Sequence, residues 1–294
     1  MASLVRPRLS GPIRDSTTCQ ASVCFRHPGY KDDINQLLLL PVLDSGGIDY
    51  DTAHTACAIL AGNRWDGLLA EKANGEGVAV LEDRILRKQY YYFHVSNDPN
   101  VPTFAHWRFP HGDLPPLWRT LFIPNEPVDR ALPRQSSTIQ ALFSRDISCR
   151  LTNYVEGTEC AHLVPKSDIT WFEQNNMSNY GKHSRADAEF IDDARNAIFL
   201  RSDIHKFFDD KRIAFVPKPS ESLPSTSTPV VHVFIPGITN ELIDLYHNRS
   251  LQELTGISIE YLFARFAWTV FDFLKPFLRH GQRRILSADW TLYS

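Results

Sequence analysis

Proline decides where this chain can hold regular structure. Eight of its 19 prolines crowd into "NDPNVPTFAHWRFPHGDLPPLWRTLFIPNEPVDRALPR". Each removes a backbone donor and fixes φ, so a long irregular connection is expected over about residues 96–135. A second run, "VPKPSESLPSTSTP" at 216–229, reads as a loop or linker of Pro, Ser and Thr. These breakers divide the 294 residues into a mixed α/β region over 1–135 that ends in the Pro-rich connection, a segment over 136–218, a loop over 219–229, and a C-terminal strand with helices over 230–294.

Within the first part, "SVCFRH", "LLLLPVL" and "YYYFHVS" are strand-like, and "YDTAHTACAILAGNRW" repeats Ala53, Ala56, Cys57 and Leu60 at helical spacing. A mixed sheet with a covering helix is expected. Beyond residue 229, "VVHVFI" reads as a strand, and "TNELIDLYHNRSLQELTG" as a helix with a polar N-cap and a glycine at its C-cap. The next segment sets Ile259, Leu262, Phe263, Phe266, Val270, Phe271, Leu274 and Phe277 on one wide helical face, which is the pattern of core packing. No internal repeat is present.

With 43% hydrophobic and 22% charged residues the chain has enough apolar surface to bury a core unaided. Thirty-one basic against 34 acidic residues give a net charge of -3, so any grip on nucleic acid must come from a local patch. Cys19, Cys24, Cys57, Cys149 and Cys160 are odd in number and form no C-x-x-C, which fits reduced thiols in an intracellular protein, cytoplasmic or nuclear. The N-terminus lacks a signal h-region and "LLLLPVL" is too short to span a bilayer, so neither secretion nor a membrane partner is expected.

The segment 136–218 carries the chemistry. "ECAHLVPKSDITWF" places His162 at the end of a short strand, before a proline exit. Downstream, "NAIFLRSDIHKFFD" places Asn196 ahead of an apolar strand and then His205 and Asp209 four residues apart. Positions i and i+4 share a helix face, so an imidazole nitrogen and a carboxylate oxygen there can bind one divalent ion. A histidine before a V-P exit, a long loop, an asparagine, an apolar strand and H-x-x-x-D make an ordered set that chance rarely produces.

That set, "AHLVP" at 161–165 and "NAIFLRSDIHKFFD" at 196–209, resembles the His-Asn-His (HNH) endonuclease family, most closely its fungal branch. The resemblance implies an α+β fold: a ββα-metal, HNH-like finger embedded in a larger mixed domain with a C-terminal helical element. In it two strands would carry His162 and Asn196, and a helix would carry His205 and Asp209. It implies His162 as the base that activates water, Asn196 as the residue that holds the histidine's loop or joins the metal shell, and His205 and Asp209 as ligands of Mg²⁺ or Mn²⁺, or of Zn²⁺. One position departs: many HNH nucleases carry an Asp or His ligand just before the catalytic histidine, and here it is Ala161. Asn196, Asp203 or water would have to complete the shell.

Three functions are open to such a chain. The first is a metal-dependent endonuclease acting on DNA or RNA. The second is a biosynthetic enzyme on the same scaffold, of the kind found in fungal secondary metabolism, shaping an apolar terpenoid or polyketide in an aromatic-lined cavity. The third is an inactive interaction module. Of the other polar features, Cys149 and Cys160 could share a structural zinc with His183, although two buried thiols suit their spacing better. Asp203 is expected to cap the helix of His205, and "RHGQRR" at 279–284 is a basic helix end or a phosphate contact. Trp171, Phe172, Phe207 and Phe208 stack bases, wall a pocket or fill the core.

Overall fold

The computed structural model describes residues 21–31, 34–77, 83–95, 107–125, 138–182, 190–220 and 225–273. Cys19, His183, Leu274, Phe277 and the "RHGQRR" run lie outside these residues. The fold is α+β, with small sheets and seven α-helices among the described residues.

Four strands, β1 (Ser22–Arg26), β2 (Gln36–Pro41), β4 (Leu68–Ala70) and β6 (Tyr90–His94), form one mixed sheet in the order β2-β1-β6-β4. β1 runs parallel to β6 and antiparallel to β2. Alternation in β1 buries Val23 and Phe25. The short pair β3 (Ile48–Asp49) and β5 (Ile85–Leu86) leads into α1 (Tyr50–Leu60), whose first turn is capped by Asp49 Oδ1 accepting from Thr52 N at 2.9 Å. Ala53, Ala56, Cys57 and Ala58 are fully buried, and their small side chains let α1 pack closely in the core.

The proline-rich connection, where described, holds only the single turn α2 (Pro116–Arg119), with Pro116 at its start where a missing N–H does no harm. α3 (Thr138–Arg145) then brings Leu142 and Phe143 against Phe199. β7 (Thr158–His162) pairs antiparallel with β8 (Ala197–Arg201), with His162 opposite Ala197. Between them lies α4 (Ile169–Gln174), and α5 (Ser202–Asp209) follows β8 without an intervening loop. Asn196 stands in a 3₁₀ turn, Ala194–Asn196, one residue before β8, so the strand expected to carry it begins just after it. The turn forms because Asp193 Oδ1 accepts from Arg195 N at 2.8 Å.

Both ends of the second expected breaker, 216–219 and 227–229, are strand. β9 (Ile213–Pro219) and β10 (Ser227–Val233) form an antiparallel hairpin, with Pro219 opposite Ser227 and Pro217 opposite Pro229. Ser227 N donates to Thr120 O and Val231 N to Arg249 O, away from β9. Their register therefore asks no cross-strand donor of Pro217, Pro219 or Pro229, which fall on the non-hydrogen-bonded pairs. Proline composition marked a break where register makes the prolines harmless.

The helix expected over 239–256 is shorter. α6 (Glu241–Tyr246) ends at His247, and Asn248 turns left-handed at φ +58°. Backbone pairing with β10 outcompetes the helix: Asn248 N donates to Val231 O at 2.8 Å, and Ser250 bridges Val230. The polar cap, Asn240, makes no side-chain bond to the first turn, and Gly256 donates to Pro124 O in a separate turn.

α7 (Ile259–Phe273) is buried almost all round, including Arg265 and Thr269. Of the expected stripe, Leu262, Phe263, Phe266 and Val270 are buried, and Ile259 and Phe271 pack at the core's edge. One continuous core runs from Val23 through Leu163, Ile198 and Phe208 to Val270. No helix among the described residues is long and apolar enough to cross a membrane.

A buried ion pair fixes the start of β8. Arg145 Nε lies 2.6 Å from Asp146 Oδ1, with both side chains almost fully buried. Arg145 also donates to Ala194 O and Ala197 O, and Asp146 accepts from Phe199 N at 2.9 Å. Asp146→Ala would strand a buried guanidinium and an orphaned amide. We expect it to lower stability by about 3–5 kcal/mol, read as a shift in the urea midpoint.

Candidate active site

β7 and β8 present two faces. Ala161, Ile198 and Leu200 look into the main core, while Cys160, Ala197 and Phe199 pack with Leu142 on the other side. Strand alternation puts Glu159 on the Ala161 face and His162 on the Cys160 face, at the strand's last residue.

His162 Nε2 lies 3.1 Å from Asp192 Oδ1. A carboxylate only accepts, so Nε2 carries the proton and Nδ1 is left as a lone pair. Lys166 Nζ sits 2.8 Å from Asp192 Oδ2, which balances the carboxylate's charge. Burial pushes the His162 imidazole below the usual histidine range, with the Asp192 hydrogen bond opposing it in part. The ring is therefore neutral at pH 7.

Asn196 is fully buried, and its amide is taken up by backbone. Oδ1 accepts from Val164 N at 2.9 Å, while Nδ2 donates to Val164 O at 3.0 Å and to Ile191 O at 2.9 Å. The amide holds the loop after His162 and has no free atom for an ion.

His205 and Asp209 come together on α5, with His205 Nε2 at 3.2 Å from Asp209 Oδ2. On the ring's other side, Nδ1 lies 2.8 Å from Glu159 Oε2. The Asp209 hydrogen bond raises the His205 pKa, against burial and with help from Glu159. Reciprocally, His205 holds the Asp209 carboxyl below the carboxylate range. Arg265 from α7 donates to Asp209 Oδ1 at 3.2 Å and lies 3.9 Å over the Phe208 ring, so Asp209 Oδ2 is the oxygen that faces His205.

The four residues expected at the site thus fall into separate groups. His205 and Asp209 meet; Asn196 stands behind His162; His162 makes no hydrogen bond or ion pair with His205 or Asp209. Asp203 is not a cap. Arg201 occupies the N-cap position, and Asp203, already inside the first turn, pairs with Arg201 at 2.6 Å, since a guanidinium two residues away is a stronger partner than a helix amide.

Glu159 and Asp192 were missed by sequence reasoning. Glu159 had a signal, because it stands two residues before Ala161 on the same strand face. Asp192, 30 residues from His162, had none. Cys149 is buried, with Sγ accepting from Thr152 N, and burial pushes the Cys160 thiol up to about 11. Phe172 and Phe208 are core, while Trp171 stacks on Trp107 at 5.7 Å.

Residues 149–216 match the HNH endonuclease family model. The matched stretch runs from Cys149 through β7, β8 and α5 into β9, and so contains His162, Asn196, His205 and Asp209. The match points to nuclease-type function in general. No curated protein and no solved structure matches the chain.

The Asp192 contact gives a sign to test. Since that hydrogen bond raises the His162 pKa, Asp192→Asn should move the ring's titration further down. Histidine ring chemical shifts followed against pH measure it, and an upward move would contradict the arrangement.

Proposed function

We propose that the chain is a metal-dependent endonuclease that hydrolyses phosphodiester bonds of DNA or RNA, with β7, β8 and α5 serving as a ββα-metal finger. The observation that supports it most is a neutral, Asp-oriented His162 at the end of a strand whose other face brings Glu159 onto the His205–Asp209 pair.

The donor set fits a divalent cation. His205 Nε2 and Asp209 Oδ2, 3.2 Å apart, already have about the 3.0–3.3 Å separation of neighbouring ligands on Mg²⁺ or Zn²⁺. His205 and Asp209 would hold the ion, and Glu159 would accept from His205 Nδ1–H, fixing the tautomer as outer-shell carboxylates do. Ala161 offers no ligand atom, so water would have to complete the shell, as Mg²⁺ tolerates. A bound cation supplies positive charge to the scissile phosphate and leaving oxygen. His162 Nδ1 takes the proton from the attacking water, Asp192 steadies the imidazolium that results, and Asn196 keeps the ring's loop in place.

The biosynthetic reading calls for an enclosed apolar cavity at His162. A cleft of about 630 Å³ lies beside the Asp203–Phe207 face of α5, lined by Arg201, Asp203, Arg212 and Glu241 together with the apolar Phe207, Ile238, Leu242 and Tyr246. It flanks the buried Ile204–Phe208 stripe on the side away from His205, so it does not open onto the imidazole that the biosynthetic reading would use.

Supercoiled plasmid, single-stranded DNA and RNA incubated with Mg²⁺ or Mn²⁺ test the proposal. His162→Ala should slow cleavage by about 10²–10⁴-fold while nucleic-acid and metal binding persist. Absence of cleavage by the unmodified protein on all three substrates would refute it. Calorimetric Mn²⁺ titration should show binding lost in His205→Ala and Asp209→Ala, and weakened about 10–100-fold in Glu159→Ala. A Glu159→Ala affinity equal to that of the unmodified protein would remove its orienting role.

A further inference from the structure

Three metal-competent side chains from distant parts of the chain converge outside the HNH-matched segment. Asp44 lies in the turn closed by its backbone bonds to Gly47, His232 lies on β10, and His247 directly follows α6. One ligand atom from each lies within 4.8 Å of the others. Asp44 is 5% exposed and His232 0%. Sequence separations of up to 203 residues hid the cluster from any local motif.

His232 supplies the second, independent observation. Both of its ring nitrogens are buried without a hydrogen-bond partner. A buried imidazole with neither nitrogen satisfied is costly, and native structures usually answer such a group with a water or an ion. Its ring centroid is 4.8 Å from that of His247.

We propose that Asp44, His232 and His247 bind one Zn²⁺ as a structural clamp between the turn ahead of α1 and the β10 region. Two imidazoles and a carboxylate suit zinc, whereas Mg²⁺ and Ca²⁺ prefer all-oxygen shells with several waters. Tetrahedral zinc with bonds of about 2.0–2.1 Å sets ligand atoms about 3.3 Å apart. His247 Nε2 and Asp44 Oδ1 are 3.0 Å apart, so closure is asked only of the His232 ring, by at most about 1.5 Å. Water takes the fourth position.

The surroundings are arranged for this. Asn248 Nδ2 donates to Asp44 Oδ1 at 2.7 Å and Asp49 N to Oδ2 at 2.9 Å, so the carboxylate is oriented by outer bonds. Lys218 Nζ sits 3.0 Å from Asp49 Oδ2 but 3.8 Å from Asp44 Oδ1, so its charge is directed chiefly to Asp49. Burial keeps His232 neutral, the form that ligates. One contact must yield. Val233 N donates to His247 Nδ1 at a long 3.3 Å, and ligation through Nε2 moves the proton to Nδ1.

The test separates this site from the proposed nuclease ion by using full-length protein carrying His205→Ala and Asp209→Ala throughout. After dialysis against a weak chelator, plasma mass spectrometry should find about one zinc per chain. Adding His232→Ala should lower it at least about tenfold. A zinc-free background protein, or zinc retained in the His232→Ala variant, overturns the proposal. Should that variant fold poorly, the background protein itself decides. Loaded with Co²⁺, it should give the intense visible bands of four-coordinate cobalt, and its His247 ring nitrogens should report a change of tautomer; a six-coordinate spectrum or an unchanged tautomer overturns the proposal equally.

Discussion

The buried amide of Asn196 is the contact on which the candidate site depends. Its three hydrogen bonds reach Val164, two residues after His162, and Ile191, one residue before Asp192. The His162–Asp192 pair is formed from the two segments that this amide joins. Asn196 O also accepts from Leu163 N at 2.8 Å, which extends the β7–β8 pairing past His162. A fully buried amide with every atom engaged has one acceptable arrangement, since each lost partner would leave an unsatisfied polar group in the core.

The same economy governs α5. β8 passes into the helix without a loop, so the strand's twist sets the helix's rotation. Ile204 and Phe208 then face the core, and His205 and Asp209 fall to one side of that stripe with Asp203 and Phe207 on the other. The Arg145–Asp146 pair holds the strand from behind through Ala194, Ala197 and Phe199. Arg265 holds the helix from the C-terminal side, stacked on Phe208 and bonded to Asp209. The HNH-matched segment is therefore not mechanically independent, because a residue well beyond it fixes which Asp209 oxygen faces His205.

The proposed zinc clamp and the helix that fell short share one cause. His247 and Asn248 leave helical geometry to pair with β10, and in doing so their side chains reach Asp44. His247, Asn248 and Ser250 are weak helix formers, so little local propensity opposes the change. Sheet pairing and a buried polar contact made at long range then end the helix there.

By itself the sequence determined the elements with strong short-range periodicity: β1, β2, β6 and α1, the buried stripe of α7, and the strand–helix unit that places His205 beside Asp209. Those follow from side-chain spacing along one element, which needs no partner to be read. The 216–229 hairpin was hidden because proline's effect depends on which edge of a ladder it occupies, and only pairing sets that. Asp203 looked like a cap until Arg201 offered it a stronger partner, and Glu159 and Asp192 acquired roles only when folding set them against His205 and His162. Tertiary structure alone decided these, together with the meeting of Asp44, His232 and His247. Contacts between residues far apart in the chain are fixed by which faces can be buried together, and no local pattern encodes that.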